Sequence, residues 1–217
     1  MNSGELIDIA HRYVKESLSE AEGGHDWWHV YRVWKMAARI ADSEPVDRKV
    51  VELAALLHDI ADPKFHDGDE SIGPNTAYSF LSEQAVSPEI IDHVVQIIRY
   101  MSFKNRSEVP SFNSLEMQVV QDADKLDAIG AIGIARVFSF GGFKGNPIHD
   151  PNMKPRLSMT KSEYKKSNGS SINHFYEKLL LLKDMMHTST GREIAQSRHD
   201  FMQLYLDQFF REFEGEQ

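Results

Sequence analysis

The segment at residues 51–62, VELAALLHDIAD, most restricts what this chain can fold into, because a strongly apolar helix ends there in two polar residues. Its leucines and alanines give apolar character almost all round, which is typical of a helix packed on more than one side. His58 and Asp59 follow where water is expected to be scarce. A buried imidazole beside a buried carboxylate costs free energy unless the two are paired or bind a cation. The sequence therefore predicts that the rest of the chain surrounds this pair.

The His-Asp dipeptide alone carries little information, since it occurs five times in the chain. The copies that begin at His25, His66, His149 and His199 lie in polar or Gly/Pro-containing surroundings or on a mixed helical face, where solvated side chains are expected. Only His58-Asp59 ends an apolar run. Context therefore selects this copy as the candidate site.

A preceding amphipathic helix brings a second histidine to the same place. Apolar residues at spacings of three and four predict that this helix begins near Trp28 and stops around residues 43–47. The next helix then runs to Ala61, and two helices joined by a short loop form an antiparallel hairpin. At about 1.5 Å per residue, His29 and His58 both lie roughly 20 Å from the turn. Both histidines are therefore expected at the open end of the hairpin.

A cluster of carboxylates lies farther along the chain, in a helix expected over residues 115–140. Asp122, Asp124 and Asp127 stand among apolar residues, and carboxylates so close repel one another unless they are solvated or neutralised. Asp124 and Asp127 share a helix face by their spacing of three. A solvated face is the alternative, but the small residues downstream indicate a helix pressed close to others.

These residues outline a metal site with two imidazole and two carboxylate ligands: His29, His58, Asp59 and one of the downstream aspartates. Such ligands suit Mn, Fe, Ni, Co or Zn, and the residue types do not choose among them. Coordination positions left for water and substrate would permit catalysis. Asp62, three residues after Asp59, is expected to be the catalytic group, with ending the helix before Pro63 as its alternative role.

Further helices are expected over residues 3–18 and 75–84, from Pro88 onward, and over residues 172–187. Ser87 is the expected N-cap before Pro88. Thr190 and Glu193 form a capping-box pattern for the last helix.

Composition narrows the class of protein. The 217 residues, 41% hydrophobic, suit one globular domain over residues 1–217. No apolar run approaches a membrane span, the N-terminus lacks a signal-peptide pattern, and the absence of Cys removes disulfides and thiolate metal sites. The net charge of −9 argues against nucleic-acid binding. A cytoplasmic protein that binds neither membrane nor nucleic acid is expected.

The ordered motifs resemble those of the HD-domain metal-dependent phosphohydrolases. The matching segments are HDWWHVYRV with His29, the pair His58-Asp59 after its apolar helix, and ADKLDA with Asp124, where Lys125 replaces the Arg of many relatives. The chain also resembles small stand-alone bacterial HD hydrolases through GAIGIARVFSFGG and INHFYEKLLLLKDMM, and is similar to nucleoside triphosphate pyrophosphohydrolases among them. The resemblance covers most of the chain.

The resemblance implies an all-α, HD-domain-like helical bundle and a hydrolase of phosphoanhydride or phosphoester bonds, with Asp124 as the distal metal ligand. The expected reaction is cleavage of a (d)NTP to (d)NMP and pyrophosphate by metal-activated water. Asp62 is expected to orient or deprotonate that water, or to pass its proton to the leaving oxygen. Relatives with two metals have further His ligands between the pair and the distal Asp, where this chain has only His66 and His93. One divalent ion is therefore expected, with Mn²⁺ favoured over Mg²⁺, Ni²⁺, Co²⁺, Fe²⁺ or Zn²⁺. His93 is instead expected to bond a backbone carbonyl in the core.

A basic, Gly- and Pro-containing segment at residues 141–171 is expected to be a mobile loop. It carries six basic and two acidic residues, and long loops of this kind are often lids. A lid would attract a polyphosphate, whereas a solvated loop would have no part in the chemistry. The basic candidates in it are Lys144, Lys154, Arg156, Lys165 and Lys166. Outside it, the expected substrate contacts are His25, at the open end of the hairpin, and, by the resemblance, Lys178 or His174.

Other functions stay open from the sequence. A nucleotide phosphatase or phosphodiesterase would use the same site on another bond, and a non-catalytic nucleotide-sensing module would bind phosphate without turnover. An enzyme is favoured because a pure binder needs no acid such as Asp62 beside the ligands. A helical interaction scaffold would leave the buried His58-Asp59 pair unexplained. The expected partner is a small-molecule phosphate substrate, with a nucleotide as the expected class, and a homodimer stays open.

Overall fold

The computed structural model describes residues 2–19, 26–61, 69–101, 112–157 and 169–216. Every regular element within those ranges is a helix and none is a strand, which confirms the predicted all-α class. The chain groups into two compact units, Met1–Asp124 and Lys125–Gln217. A single functional domain over the whole chain stays a prediction.

The first unit contains the predicted hairpin and the helices packed around it. Its helices are α1 (Ser3–Ser17), α2 (Trp27–Ala41), α3 (Arg48–Leu57), α4 (Ile72–Glu83), α5 (Pro88–Tyr100) and most of α6 (Leu115–Asp127). α3 contacts α1, α2 and α5. From Val50 to Leu57 its residues are buried, except the half-buried Glu52. α3 is therefore the central helix of this unit, as its all-round apolar sequence predicts.

The predicted C-terminal end of α3 is wrong, because the α-helix stops at Leu57 rather than at Ala61. Nδ1 of His58 lies 2.8 Å from the carbonyl oxygen of Ala55. That oxygen is the acceptor that a continuing helix would offer to the amide of Asp59. A side chain that competes for a backbone acceptor in this way favours the end of a helix.

The next two helices begin close to their predicted positions. α4 starts at Ile72, three residues before the predicted start at residue 75. Pro74 then falls in its first turn, where no amide hydrogen is needed and proline is tolerated. α5 begins at Pro88 after the N-cap residue Ser87, as predicted, although the Ser87 side chain makes no capping hydrogen bond.

The second unit is built on a long C-terminal helix with shorter elements against it. Its elements are α7 (Gly130–Lys144), α8 (Ser171–Glu177), a 3₁₀ helix (Leu179–Met185) and α9 (Ser189–Phe213). α9 contacts α7 and the 3₁₀ helix. The fully buried ring of Phe175 stacks on Tyr205 of α9 at 6.0 Å between centroids. Aromatic residues at helical spacing in α9 therefore contribute to a core.

The single helix predicted over residues 115–140 is wrong, because α6 and α7 are separate helices. Ile129 has extended backbone angles, and Gly130 has a φ of 75°, in the region that favours glycine. The Arg198 guanidinium donates a hydrogen bond to the carbonyl of Leu126. A continuing helix would have used that carbonyl for the amide of Gly130.

The helix predicted over residues 172–187 is also divided, into α8 and the 3₁₀ helix. Lys178, between them, has a φ of −145° and a ψ of −56°, which no helix continues through. The N-cap of α9 is Thr188, whose hydroxyl accepts the amide of Gly191 at 2.9 Å. The capping box predicted two residues later, at Thr190, is therefore wrong.

The segment predicted as a loop at residues 141–171 begins as helix, since α7 continues to Lys144. Hydrogen bonds then tie the following residues to α8: the Ser171 amide donates to the Pro147 carbonyl at 2.9 Å, and the Arg156 amide donates to the Glu177 carboxylate at 3.0 Å. Residues 158–168 lie outside the described ranges. Mobility of the loop therefore stays a prediction.

Within the described parts of the chain, no single helix is both long enough and apolar enough to cross a membrane. α6 and α7 pass that test only when taken together as a bent pair, on length and composition alone.

Gly133 and Gly142 lie on the same helix, α7, and give a matched pair of tests. A Cβ at Gly133 would fall far inside contact distance of the Ala128 carbonyl oxygen, whereas a Cβ at Gly142 meets nothing within 4 Å. Gly133→Ala is therefore expected to lower the free energy of unfolding by about 1–3 kcal/mol through overpacking. Gly142→Ala should raise it by up to about 1 kcal/mol, because Ala favours a helix over Gly. Urea unfolding followed by circular dichroism measures both, and equal stability of the two variants would contradict the close approach.

Candidate metal centre

His29 enters the centre from the first turn of α2. Asp26 caps that helix, and its carboxylate accepts the backbone amide of His29 at 2.9 Å. The His29 side chain is 2% exposed. Its Nε2 lies 3.5 Å from Oδ2 of Asp59 and 3.5 Å from Oδ1 of Asp124. One imidazole nitrogen thus faces carboxylates from two different parts of the chain.

His58 enters from the opposite side, at the C-cap of α3, with a fixed tautomer. The Ala55 carbonyl can only accept, so Nδ1 of His58 donates to it and the lone pair stands on Nε2. That Nε2 is buried, has no hydrogen-bond partner among the described residues, and lies 3.5 Å from Oδ2 of Asp59. A carbonyl that orients a histidine in this way is the usual outer partner of a metal ligand. Sequence reasoning missed Ala55, although its spacing of three from His58 on one helix was the available signal.

The three groups converge as the hairpin geometry predicts. The rings of His29 and His58 lie 5.4 Å apart between centroids. One donor atom from each histidine and one oxygen of Asp59 all lie within 4.8 Å of one another. Two histidines about equally far from a turn have therefore met at the open end of the α2–α3 hairpin.

The separations fit a common cation better than hydrogen bonds. At metal–ligand distances of about 2.1 Å, ligands at tetrahedral or right angles lie about 3.0–3.4 Å apart. The separations of 3.5 Å between His nitrogens and Asp oxygens are close to that range. They exceed the roughly 2.7–3.2 Å of a good N–H···O bond. Imidazole nitrogens and carboxylate oxygens in this arrangement fit one small divalent cation.

α6 carries the three candidate aspartates, and the structure distinguishes them. Asp124, with its side chain 45% exposed, lies beside His29. Asp127 is buried and forms an ion pair with the Arg136 guanidinium. Asp122 is fully buried. Asp124, which the family resemblance favoured, is thus the aspartate that lies beside His29, and its role as a ligand stays a proposal.

Three residues considered in the sequence fall outside the described ranges. They are Asp62, the expected catalytic group, His25, an expected substrate contact, and His66, an expected loop residue. Their roles stay predictions that rest on the sequence alone.

The remaining expected substrate contacts lie in the second unit. Lys144 is exposed at the end of α7, with its ammonium 5.4 Å from the ring centroid of Phe143. Lys178 is exposed after α8. Burial, with a smaller contribution from the charge of Lys178, lowers the pKa of His174 to about 4. His174 is therefore neutral at pH 7 and brings no positive charge to a phosphate.

His93 takes a different partner from the one predicted. Its Nε2 lies 2.9 Å from the Ser114 hydroxyl and 3.4 Å from a carboxylate oxygen of Glu116, rather than against a backbone carbonyl. Ser114 also accepts the amide of Met117 at the start of α6. Among the described residues, the group within reach of one metal ion consists of His29, His58 and Asp59, with Asp124 beside His29 only and without His93. The number of metal ions stays a prediction.

Known proteins resemble this chain in both sequence and structure. Residues 27–129 match the HD domain family. The uncharacterized protein YpgQ of Bacillus subtilis is 40% identical, over 94% of this chain and 91% of its own length. The crystal structure of an HD-superfamily hydrolase from Bacillus thuringiensis has a TM-score of 0.80 and 39% identity, covering 98% of this chain and 99% of that chain. The crystal structure of Bacillus subtilis YpgQ in complex with ADP has a TM-score of 0.76 and 38% identity, covering 98% and 97%.

The HD domain match spans all four residues of the cluster, from His29 on α2 to Asp124 on α6. The likeness to YpgQ and to the Bacillus thuringiensis hydrolase extends far beyond that domain, to nearly the full length of each chain. A shared fold, substantial identity and the convergent His and Asp side chains therefore agree. The chain belongs to the HD superfamily of metal-dependent phosphohydrolases.

Proposed function

We propose that this protein hydrolyses nucleotides, converting a (d)NTP to a (d)NMP and pyrophosphate, with one divalent cation held by His29, His58, Asp59 and Asp124. The observation that carries the proposal is the convergence of two buried imidazole nitrogens with two carboxylates at 3.5 Å separations. Membership of the HD family implies a divalent cation, and Mn²⁺ is the ion we favour. A nucleotide is supported by YpgQ, a 38% identical protein that was crystallised in complex with ADP.

The cluster has a buried side and an exposed side. The side chains of His29 and His58 are 2% and 4% exposed, whereas those of Asp59 and Asp124 are 18% and 45% exposed. Substrate phosphate therefore approaches from the carboxylate side. A bound divalent cation would polarise the phosphate oxygens and lower the pKa of a bound water toward neutrality. The buried histidines hold the charge in a fixed position, so little reorganisation is needed during the reaction.

Asp62 is the proposed acid–base group. Three residues after Asp59, it orients or deprotonates the attacking water, or passes the proton to the leaving oxygen. The support for this role is its sequence position directly after the ligand pair. Lys144 and Lys178 are the proposed phosphate contacts, supported by their positive charge and exposure.

A second candidate function is a nucleotide phosphatase that releases inorganic phosphate. The specific observation in its favour is the ADP bound by YpgQ, since ADP is the product when ATP loses its terminal phosphate. Cleavage of ATP to AMP and pyrophosphate forms no ADP. The two candidates use the same cluster and differ in which bond breaks.

Product analysis separates these functions. The purified protein with Mn²⁺ is incubated with the common ribo- and deoxyribonucleoside triphosphates, and products are resolved by anion-exchange chromatography. Equal amounts of nucleoside monophosphate and pyrophosphate are expected. His58→Ala, purified identically, controls for contaminating phosphatases. Nucleoside diphosphate with inorganic phosphate would establish the phosphatase instead, and no turnover of any nucleotide would contradict both.

A further inference from the structure

An exposed tryptophan directly precedes the candidate metal ligand His29 in the sequence. Trp28 precedes His29 in the first turn of α2 and is 59% exposed, whereas its neighbour Trp27 is 7% exposed. Tryptophan is a large side chain that is highly buried on average. The core of the first unit therefore uses Trp27 and leaves the ring of Trp28 to solvent.

Contacts along α2 support the Trp28 ring without covering it. Its centroid lies 5.9 Å from that of Tyr31, with the planes at 78°. Tyr31 in turn meets Trp34 at 6.0 Å and 73°, and the Lys35 ammonium lies 4.7 Å from the Trp34 centroid. In an edge-to-face contact the two rings are not stacked on each other face to face. The aromatic row at spacings of three thus ends in a supported ring that is largely open to water.

The position of Trp28 relates it to the metal centre. Trp28 and His29 are the second and third residues of α2, and side chains on a helix lean toward its N-terminus, so both lean toward the same end of the helix. His29 buries its ring among the ligands there, and Asp124 opposite it is 45% exposed. The centre is therefore exposed on its Asp124 side, and the exposed indole belongs to the residue next to one of its candidate ligands.

We propose that Trp28 is a stacking platform for the base of a nucleotide whose phosphates bind at the metal centre. This inference rests on the proposed nucleotide function and names the part of the substrate that the cluster itself does not recognise. A neighbouring pair of side chains, one buried among metal ligands and one presenting a planar ring, matches a ligand with phosphate at one end and an aromatic base at the other. Stacking tolerates any base because every base has a π-face. The platform therefore binds all common nucleotides with similar affinity.

Calorimetric titration in the presence of Mn²⁺ compares ADP with inorganic pyrophosphate, which has the phosphates without the base. Trp28→Ala is expected to weaken ADP binding about tenfold, the loss that corresponds to one base–aromatic stack. It should leave pyrophosphate binding unchanged. Trp28→Phe keeps a stacking ring and should bind ADP nearly as well as the parent. Tyr78→Ala, on α4, removes another exposed aromatic, 53% exposed, and should bind both ligands like the parent.

The outcomes separate this inference from the proposed function. Unchanged ADP affinity in Trp28→Ala, or equal weakening of ADP and pyrophosphate, would overturn the stacking role. ADP binding that depends on Trp28, in a protein that turns over no nucleotide, would support the platform and refute the hydrolase. A parent protein that binds neither ligand would refute both. Thermal melts of every variant verify that folding is unchanged.

Discussion

His58→Ala is expected to abolish nucleotide turnover and to weaken Mn²⁺ binding together. The substitution removes the buried Nε2, which lies 3.5 Å from Asp59 and has no hydrogen-bond partner among the described residues. Removing a group that only orients a ligand typically costs roughly 10- to 100-fold in metal affinity or activity, and loss of the ligand itself should cost more. Steady-state kinetics and Mn²⁺ titration by calorimetry measure the two effects on one preparation.

His93→Ala is the matched control for that prediction. His93 is a partly exposed histidine of the first unit, bonded to Ser114 and outside the cluster. It should retain the Mn²⁺ affinity and turnover of the parent, apart from any change in stability. If His58→Ala bound Mn²⁺ and turned over nucleotide like His93→Ala, the cluster would not be a metal centre.

Asp62→Asn is expected to lose about 10²- to 10⁴-fold in kcat, the range typical of a general acid or base, while binding Mn²⁺ like the parent. The amide keeps the size of the carboxyl group but cannot accept or deliver the proton. Single-turnover kinetics at saturating Mn²⁺ isolates this chemical step from metal binding.

Asp92→Asn gives the control, because Asp92 is an exposed residue of α5 and not a member of the cluster. It should behave like the parent in both measurements. Full turnover in Asp62→Asn would remove this residue from the mechanism. Loss of Mn²⁺ binding in Asp62→Asn would make it a ligand instead of an acid–base group.

The cluster was predictable where helical geometry alone decides the outcome. His29 and His58 lie about equally far from the turn between α2 and α3, so helical geometry brings them together. Polar residues at the end of an apolar helix could also be recognised as a candidate site from the sequence, because burying them costs free energy unless they bind a partner. The choice between Asp124 and Asp127 was beyond this reasoning, since a spacing of three places both on one face. Arg136, nine residues beyond Asp127 in sequence, pairs with it and makes the distinction.

The helix boundaries in the second unit were less predictable. Apolar and small residues continue smoothly past Ile129, so the sequence pattern alone extends one helix through it. The break depends on the positive φ of Gly130 and on Arg198, which binds the Leu126 carbonyl from a distant helix. The predicted N-cap of α9 was wrong for a similar reason. Thr188 and Thr190 offer the same hydroxyl, and only the backbone shows which one meets an amide.

Equilibrium dialysis of the purified protein against Mn²⁺, read by inductively coupled plasma mass spectrometry, tests directly whether His29, His58, Asp59 and Asp124 hold a metal. One tightly bound Mn²⁺ per chain is expected in the parent, with that ion lost in Asp59→Ala and held more weakly in Asp124→Ala. A parent protein that retains no divalent metal, or an Asp59→Ala variant that retains as much as the parent, would contradict the metal centre.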